Sequence, residues 1–268
     1  PPDVATWMRR EYWREAARNL QIYRSLAEVL RLLDARGIPV IVLKGAHLAP
    51  LVYEDPALRP FADIDLLIRP RDVDRALALL AEAGYDLAPG LLSAELNRRY
   101  HVNLPLVKSG DRPVHVELHW SLTDRFSNHA VEHEAIWGRS HEVVIAGGPA
   151  RVLAPEDLLI YLSLHLDKHG YLNRGVLGSG HERDFALDQL SANRLIWFTD
   201  LHELCERDGA RLDWGAVVER GRAWGMAGPV ATSLAMRVAL LGTSVDGGAL
   251  RTLGGVRAGW LRLLLAAC

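Results

Sequence analysis

The sequence has only two cysteines, Cys205 and Cys268, three methionines and no surplus of charge of either sign. So few cysteines exclude a disulfide scaffold and fit a reducing compartment, which makes the cytoplasm the expected location. Thirty-one basic against 33 acidic residues leave a net charge of −2. No bulk basic field marks a nucleic-acid binder, and only a local patch could serve that purpose. Long hydrophobic runs are also missing. Arg9, Arg10, Glu11 and Arg14 interrupt the first apolar residues, so nothing in this stretch resembles a signal peptide. The Leu-rich end after Trp260 is too short for a bilayer, and Arg251, Arg257 and Arg262 punctuate it. Neither DNA nor a membrane is therefore an expected partner. The abrupt ends, Pro1-Pro2 and Ala266-Ala267-Cys268, read as those of a piece of a longer chain.

What is present is a core. Hydrophobic residues make up 49% of the 268 and charged residues 24%, which excludes disorder and suits one large or two small domains. Asp3–Ala35 reads as one long helix, with Leu20, Ile22, Tyr23, Leu26, Val29, Leu30 and Leu33 near helical spacing and Gly37 as its stop. Ile38–Leu43 is a β-branched run suited to a buried strand, and a helix resumes after Lys44-Gly45 through Tyr53. Asp63–Ile68 reads as a second strand. Pro70 then opens a helix with Val73, Leu77 and Leu80 inward, closed by Gly84. Two strands are expected at His101–Val107 and Pro113–Trp120 and a short pair around Gly147-Gly148. After Pro155 helical patterns dominate, at Pro155–Lys168, Arg194–Arg207, Asp213–Trp224, Gly228–Leu241 and about Ala249–Leu265. The layout is a mixed α/β domain over 1–150 followed by a helical domain over 151–268.

Asp63 and Asp65 carry the most chemical information. On a strand, residues i and i+2 point to one face, so both carboxylates project together while Ile64 and Leu66 enter the core. Like charges so close repel unless a cation lies between them, and hard oxygen ligands suit magnesium. In His115-Val116-Glu117-Leu118-His119-Trp120, the side chains of His115, Glu117 and His119 share a face. If that strand pairs beside the first, Glu117 falls roughly 5 Å from the aspartate row. Three such acids can bracket two metals about 3.5–4 Å apart. A solvated sheet edge would also carry such acids, but an apolar strand should not hold them on a buried face without a cation or a partner. At the end of the preceding strand, Lys44 supplies a point charge, and Gly45 lets backbone approach a ligand at a helix N-terminus.

Leu43-Lys44-Gly45, Leu58-Arg59-Pro60, Asp63-Ile64-Asp65-Leu66-Leu67 and Val116-Glu117-Leu118-His119-Trp120 together resemble the uncharacterised bacterial branch of the nucleotidyltransferase superfamily. Leu153-Ala154-Pro155-Glu156-Asp157, His165, His169 and Trp197-Phe198-Thr199-Asp200-Leu201 resemble it too, so the likeness runs from about Val29 to Leu241. It implies an α+β fold: a polymerase-β-like palm, a small mixed sheet with helices, followed by an all-helical C-terminal domain completing the cleft. It implies transfer of a nucleoside monophosphate from an NTP, ATP being the expected one, to a hydroxyl acceptor with Mg²⁺, for which Mn²⁺ can substitute. Asp63 and Asp65 become metal ligands, and Glu117 the third acid, which ligates metal or deprotonates the acceptor. Lys44, Gly45 and Arg59 would face the NTP phosphates. One departure stands out. The superfamily usually follows this glycine with Ser or Gly, and here Ala46 follows, so Lys44 would take over part of the phosphate-holding role.

Pro155–Lys168 carries a Leu stripe, Leu158 and Leu162, that turns into a His stripe, His165 and His169. These polar residues could cap helix carbonyls or ligate zinc; the preferred reading has His165, Lys168 and His169 contacting the triphosphate or the acceptor. Asp200 is either a helix-surface residue or the partner of a cationic group. Trp197, Trp214 and Trp224 read as inter-helix packing. Gly170–Ala192 reads as an inserted loop, either a lid or a passive excursion. The near-neutral charge favours a small molecule or a protein side chain over an RNA end as acceptor. A phosphotransferase on the same metal site, or a non-catalytic nucleotide- or partner-binding protein, are the alternatives.

Overall fold

The computed structural model describes residues 3–90, 95, 98–99, 101–123, 127–168, 192–242 and 247–254. His169, the expected insertion up to 191 and everything beyond 254 lie outside them. The chain divides into two compact units, residues 1–127 with 131–154, and residues 128–130 with 155–268.

In the first unit, helix α1 (Asp3–Asp34) buries Ile22, Leu26, Val29, Leu30 and Leu33 along one stripe. Each such side chain removed from water contributes about 1.5–3 kcal/mol. Leu20, expected on that stripe, is exposed instead. The helix stops where Gly37 turns left-handed at φ +64, a region closed to most side chains. Seven strands follow in one mixed sheet: β1 (Ile41–Val42), β2 (Asp63–Leu67), β3 (Tyr85–Leu87), β4 (Asn103–Lys108), β5 (Val114–His119), β6 (His141–Ile145) and β7 (Gly148–Val152). Their spatial order is β3-β4-β5-β2-β1-β7-β6. The β2–β5 and β1–β7 pairs are parallel and the others antiparallel.

Helix α2 (Lys44–Leu51) follows β1, and α3 (Val73–Glu82) follows β2 after a 3-10 turn at Pro70–Asp72. Ile64, Leu66, Val116 and Leu118 join Val73, Ala76 and Leu80 of α3 and the α1 stripe in one core. Strand alternation thus commits the opposite sheet face to Asp63, Asp65 and Glu117.

Three elements differ from expectation. The first strand is regular only at Ile41–Val42: Pro39 has no N–H for a ladder on one side, and Leu43 is already the cap of α2 on the other. The remaining carbonyl and amide of this run are used singly, Val40 O accepting from Arg151 N (2.9 Å) and Leu43 N donating to Asp65 O (2.9 Å). Strand β3 and helix α4 (His133–Arg139) have three and seven residues, too short for a periodic signal. The expected pair around Gly147-Gly148 is a tight hairpin, with Ala146 at φ +53 and Gly147 at φ +75 between Ile145 and Gly148.

The described elements of the second unit are all helices: α5 (Pro155–Lys168), α6 (Ala192–Asp208), α7 (Trp214–Ala223), α8 (Ala227–Leu241) and α9 (Gly247–Thr252). Helix α5 packs against α6, α7 and α8 and is buried nearly all round, from Asp157 to Leu164 and again at Leu166 and Asp167. Ser163 and Ser233 bridge α5 to α8 through their hydroxyls at 2.7 Å. Arg220 holds the buried Asp157 at 3.0 Å. Asp213 caps α7 by accepting from Ala216 N at 3.0 Å. Trp224 is buried, whereas Trp197 and Trp214 are partly exposed. Asp200 is buried beside Phe198, Leu201 and Leu204 in sequence, so it is not a surface residue. Among the described residues no helix is long and apolar enough to cross a membrane.

Candidate active site

The parallel pairing of β2 with β5 sets Asp65 opposite Glu117, and Asp63 opposite His115. Both acids of β2 therefore look out from the face away from the α1 and α3 core. Their environments differ. Asp65 is 2% exposed, and its Oδ1 receives the Lys44 Nζ at 2.6 Å and lies 2.9 Å from His119 Nε2. Glu117 is more open; its Oε2 lies 3.3 Å from the same His119 nitrogen and 3.9 Å from Lys44 Nζ. Asn103 of β4, brought alongside by the antiparallel β4–β5 ladder, donates to Glu117 Oε2 at 3.2 Å. Asp63 sits one pleat repeat earlier, roughly 7 Å along the strand, half-buried.

These contacts set the protonation states. Burial alone would raise Asp65, but the Lys44 ammonium and the His119 ring hold it well below the usual carboxylate range. Glu117 is also lowered, first by its hydrogen bond to His119. For His119, burial opposes the charged form, yet the hydrogen bonds to Asp65 and Glu117 prevail and raise it. Asp63 moves the other way. Burial first, then the negative charges of Asp65 and Glu117, push it up to about 6, with Lys44 pulling against them.

Lys44 is the first residue of α2 and sits in the left-handed region at φ +45. A non-glycine residue there costs about 1–2 kcal/mol and persists only where its surroundings impose it. The ion pair to Asp65 is the contact that conformation secures. The following glycine has a packing reason. A Cβ at Gly45 would lie closer than 3.0 Å to both Cβ and Cγ of Phe61, and the Phe61 Cβ cannot rotate away. Arg59, expected at the phosphates, is buried at 6% exposure, with its guanidinium donating to Pro60 O. Asn19 fastens that loop to α1, donating to Pro56 O at 2.8 Å and Arg59 O at 3.1 Å. In the second unit, His165 makes an edge contact with Trp197, centroids 4.4 Å apart, and Lys168 is exposed.

The donor set fits a divalent cation. One ligand atom each from Asp65, Glu117 and His119 lie within 4.8 Å of one another. A cation already lies against both carboxylates in the form of the Lys44 ammonium. Asp65 and Glu117, expected side by side from strand alternation, are register partners of β2 and β5. His119 and Asn103 join them without an expected role, although His119 shares the Glu117 face by simple alternation. Asn103 is legible only from the β4–β5 register.

Residues 1–242 match a family model described as an uncharacterised nucleotidyltransferase. No curated protein matches the chain. Solved structures that resemble it include the antibiotic-resistance factor ANT(2″)-Ia, at 17% identity over 74% of this chain and 96% of that one, with a TM-score of 0.37. The lincosamide antibiotic adenylyltransferase LnuA, lincomycin-bound, is 12% identical over 68% of this chain and 94% of that one, TM-score 0.39. An antigenic nucleotidyltransferase-like protein from Paracoccidioides brasiliensis is 13% identical over 90% and 95%, TM-score 0.47.

Proposed function

We propose that the chain, which belongs to the uncharacterised nucleotidyltransferase family, transfers a nucleoside monophosphate from an NTP, ATP in the first instance, to a hydroxyl acceptor. The observation that carries this reading is the meeting of Asp65, Glu117 and His119 on one sheet face, with the Lys44 ammonium against both acids. In the proposed reaction the acceptor oxygen attacks the α-phosphorus, the bond from that phosphorus to the bridging oxygen breaks, and pyrophosphate leaves. Asp63, Asp65 and Glu117 would hold Mg²⁺ or Mn²⁺. When bound, such an ion supplies neutralisation of phosphate charge and a lowered barrier to deprotonating the acceptor.

The chain's own residues do the rest by position and charge. Asp65, buried and kept ionised, is the fixed anchor of the site. Glu117 is more exposed and oriented by Asn103, which suits it to take the acceptor proton. Lys44, released from Asp65 by a competing cation, would turn its ammonium to the phosphates as a point charge. Gly45 and Arg59 belong to the same turn and loop. His165, Lys168 and His169 are proposed as nucleotide contacts on their chemistry alone. The near-neutral net charge supports a small molecule or protein side chain as acceptor. The proposal places the chain in the cytoplasm, where Cys205 stays reduced.

Weighing the products of incubation with each NTP and Mg²⁺ or Mn²⁺ tests the reading. Pyrophosphate supports it. Nucleoside diphosphate would assign phosphoryl transfer to the same centre, and no turnover with any acceptor pool would leave a binding protein.

A further inference from the structure

We infer that His119 is itself a ligand of the metal, so that the centre is a mixed imidazole–carboxylate one that prefers Mn²⁺, Co²⁺ or Zn²⁺ to Mg²⁺. The inference rests on the proposed function for there being a metal at all, and deepens it by naming a ligand and a class of ion. Its basis is placement. Glu117 and His119 are i and i+2 on β5, so both project from the face that β2 supplies with Asp65. His119 is buried, and Nε2 lies between the two acids, 2.9 Å from Asp65 Oδ1 and 3.3 Å from Glu117 Oε2. Among the described residues, these three form the group whose ligand atoms all fall within 4.8 Å of one another. Asp63, the other acid of the strand, is outside that group.

A merely structural histidine would serve as a hydrogen-bonded spacer, orienting the carboxylates while they alone met the ion. The geometry argues further, because one ring nitrogen addresses both carboxylate oxygens. The Lys44 ammonium meets the same two oxygens from its own side, so the imidazole supplies a further donor for an ion that replaces that ammonium. Imidazole is a borderline donor that suits later divalent ions, whereas Mg²⁺ favours oxygen ligands and keeps several waters. Replacing one oxygen position by nitrogen therefore shifts selectivity away from Mg²⁺.

The test is spectroscopic and needs no turnover. Mn²⁺ is added to the full chain, with and without a non-hydrolysable NTP analogue. Free Mn²⁺ is counted by electron paramagnetic resonance, and bound Mn²⁺ is examined by pulsed measurements for ¹⁴N coupling. The expected result is a directly coordinated nitrogen that changes to ¹⁵N coupling in protein grown with ¹⁵N-labelled histidine. His119→Gln should lose the coupling, weaken Mn²⁺ binding at least about tenfold, and reduce the Mn²⁺-over-Mg²⁺ preference. If His119→Gln fails to fold, the labelled wild type answers the question, with His115→Gln excluding the other ring on that face of β5. Bound Mn²⁺ without histidine nitrogen coupling overturns the inference and leaves the proposed function standing. Failure to bind Mn²⁺ even with the analogue overturns both.

Discussion

Replacing Lys44 by Met probes the strongest electrostatic contact in the site. The substitution keeps an unbranched side chain and removes the ammonium that lies 2.6 Å from a carboxylate only 2% exposed. Removing one partner of a buried pair typically costs about 3–5 kcal/mol, because the other charge stays behind uncompensated. Here Asp65 keeps its contact with His119 at 2.9 Å, so the loss falls at or just below the lower end of that scale, about 2–3 kcal/mol. For a unit of this size that lowers the melting temperature by about 4–12 °C. Lys44→Gly should lose less, because glycine relieves the left-handed backbone and returns about 1 kcal/mol. The informative comparison is with Mn²⁺. An ion on Asp65 and Glu117 must displace the ammonium in wild type but not in the variant. Lys44→Met should therefore bind Mn²⁺ more tightly, about tenfold for each 1.4 kcal/mol of pairing no longer to be broken. Saturating Mn²⁺ should recover most of the lost stability. Thermal unfolding with and without Mn²⁺, and a Mn²⁺ titration, measure both. A variant that melts with wild type in the absence of metal, or whose loss persists unchanged at saturating Mn²⁺, refutes the reasoning.

Asp63 and Gly45 in the site, and Cys205 in the second unit, give three further expected outcomes. Asp63 titrates at about 6 in the folded chain against 3.8 as its ordinary value, so it favours folding at low pH, and that contribution is lost as the pH rises through 6. Asp63→Asn should therefore stabilise the metal-free protein near neutrality, with the advantage shrinking by about 2 kcal/mol between about pH 7.5 and pH 4.5 in denaturant titrations; an advantage independent of pH would count against it. Gly45→Ala should cost about 1–3 kcal/mol in denaturant midpoint because of Phe61; a variant that unfolds like wild type but loses NTP affinity would return the glycine to a phosphate-cradling role. Cys205, whose thiol burial pushes up to about 11, should resist a thiol reagent near pH 8 in a Cys268→Ser background until the protein is unfolded; rapid labelling of the folded chain would contradict that.

Local pattern carried much of the architecture. Alternation in Asp63–Leu67 and Val114–His119 and the stripe of α1 are short-range signals, and they put the acids on one face and the core on the other. What escaped depends on contacts distant in sequence. Lys44 reads as a phosphate ligand from its turn alone. Only the β1–β2 pairing, with Leu43 N on Asp65 O, shows that its ammonium reaches Asp65. The reason for Gly45 lies sixteen residues downstream in Phe61, and that for Asn103 in the register of a neighbouring strand. Arg59 carries the charge expected of a phosphate ligand, yet it is buried in a loop that Asn19 ties to α1. In sequence, helix α5 shows a Leu stripe turning into a His stripe; in its own unit it is buried nearly all round, because α6, α7 and α8 all pack on it.

The most direct test of the central claim follows the label. A small-molecule extract is incubated with the protein, Mn²⁺ and ATP labelled on either the α- or the γ-phosphorus. α-Label should move onto an acceptor in step with pyrophosphate release and γ-label should stay with the pyrophosphate, whereas Asp63→Asn should neither transfer α-label nor release pyrophosphate. Transfer of γ-label to the acceptor, or undiminished α-transfer by Asp63→Asn, would contradict the claim.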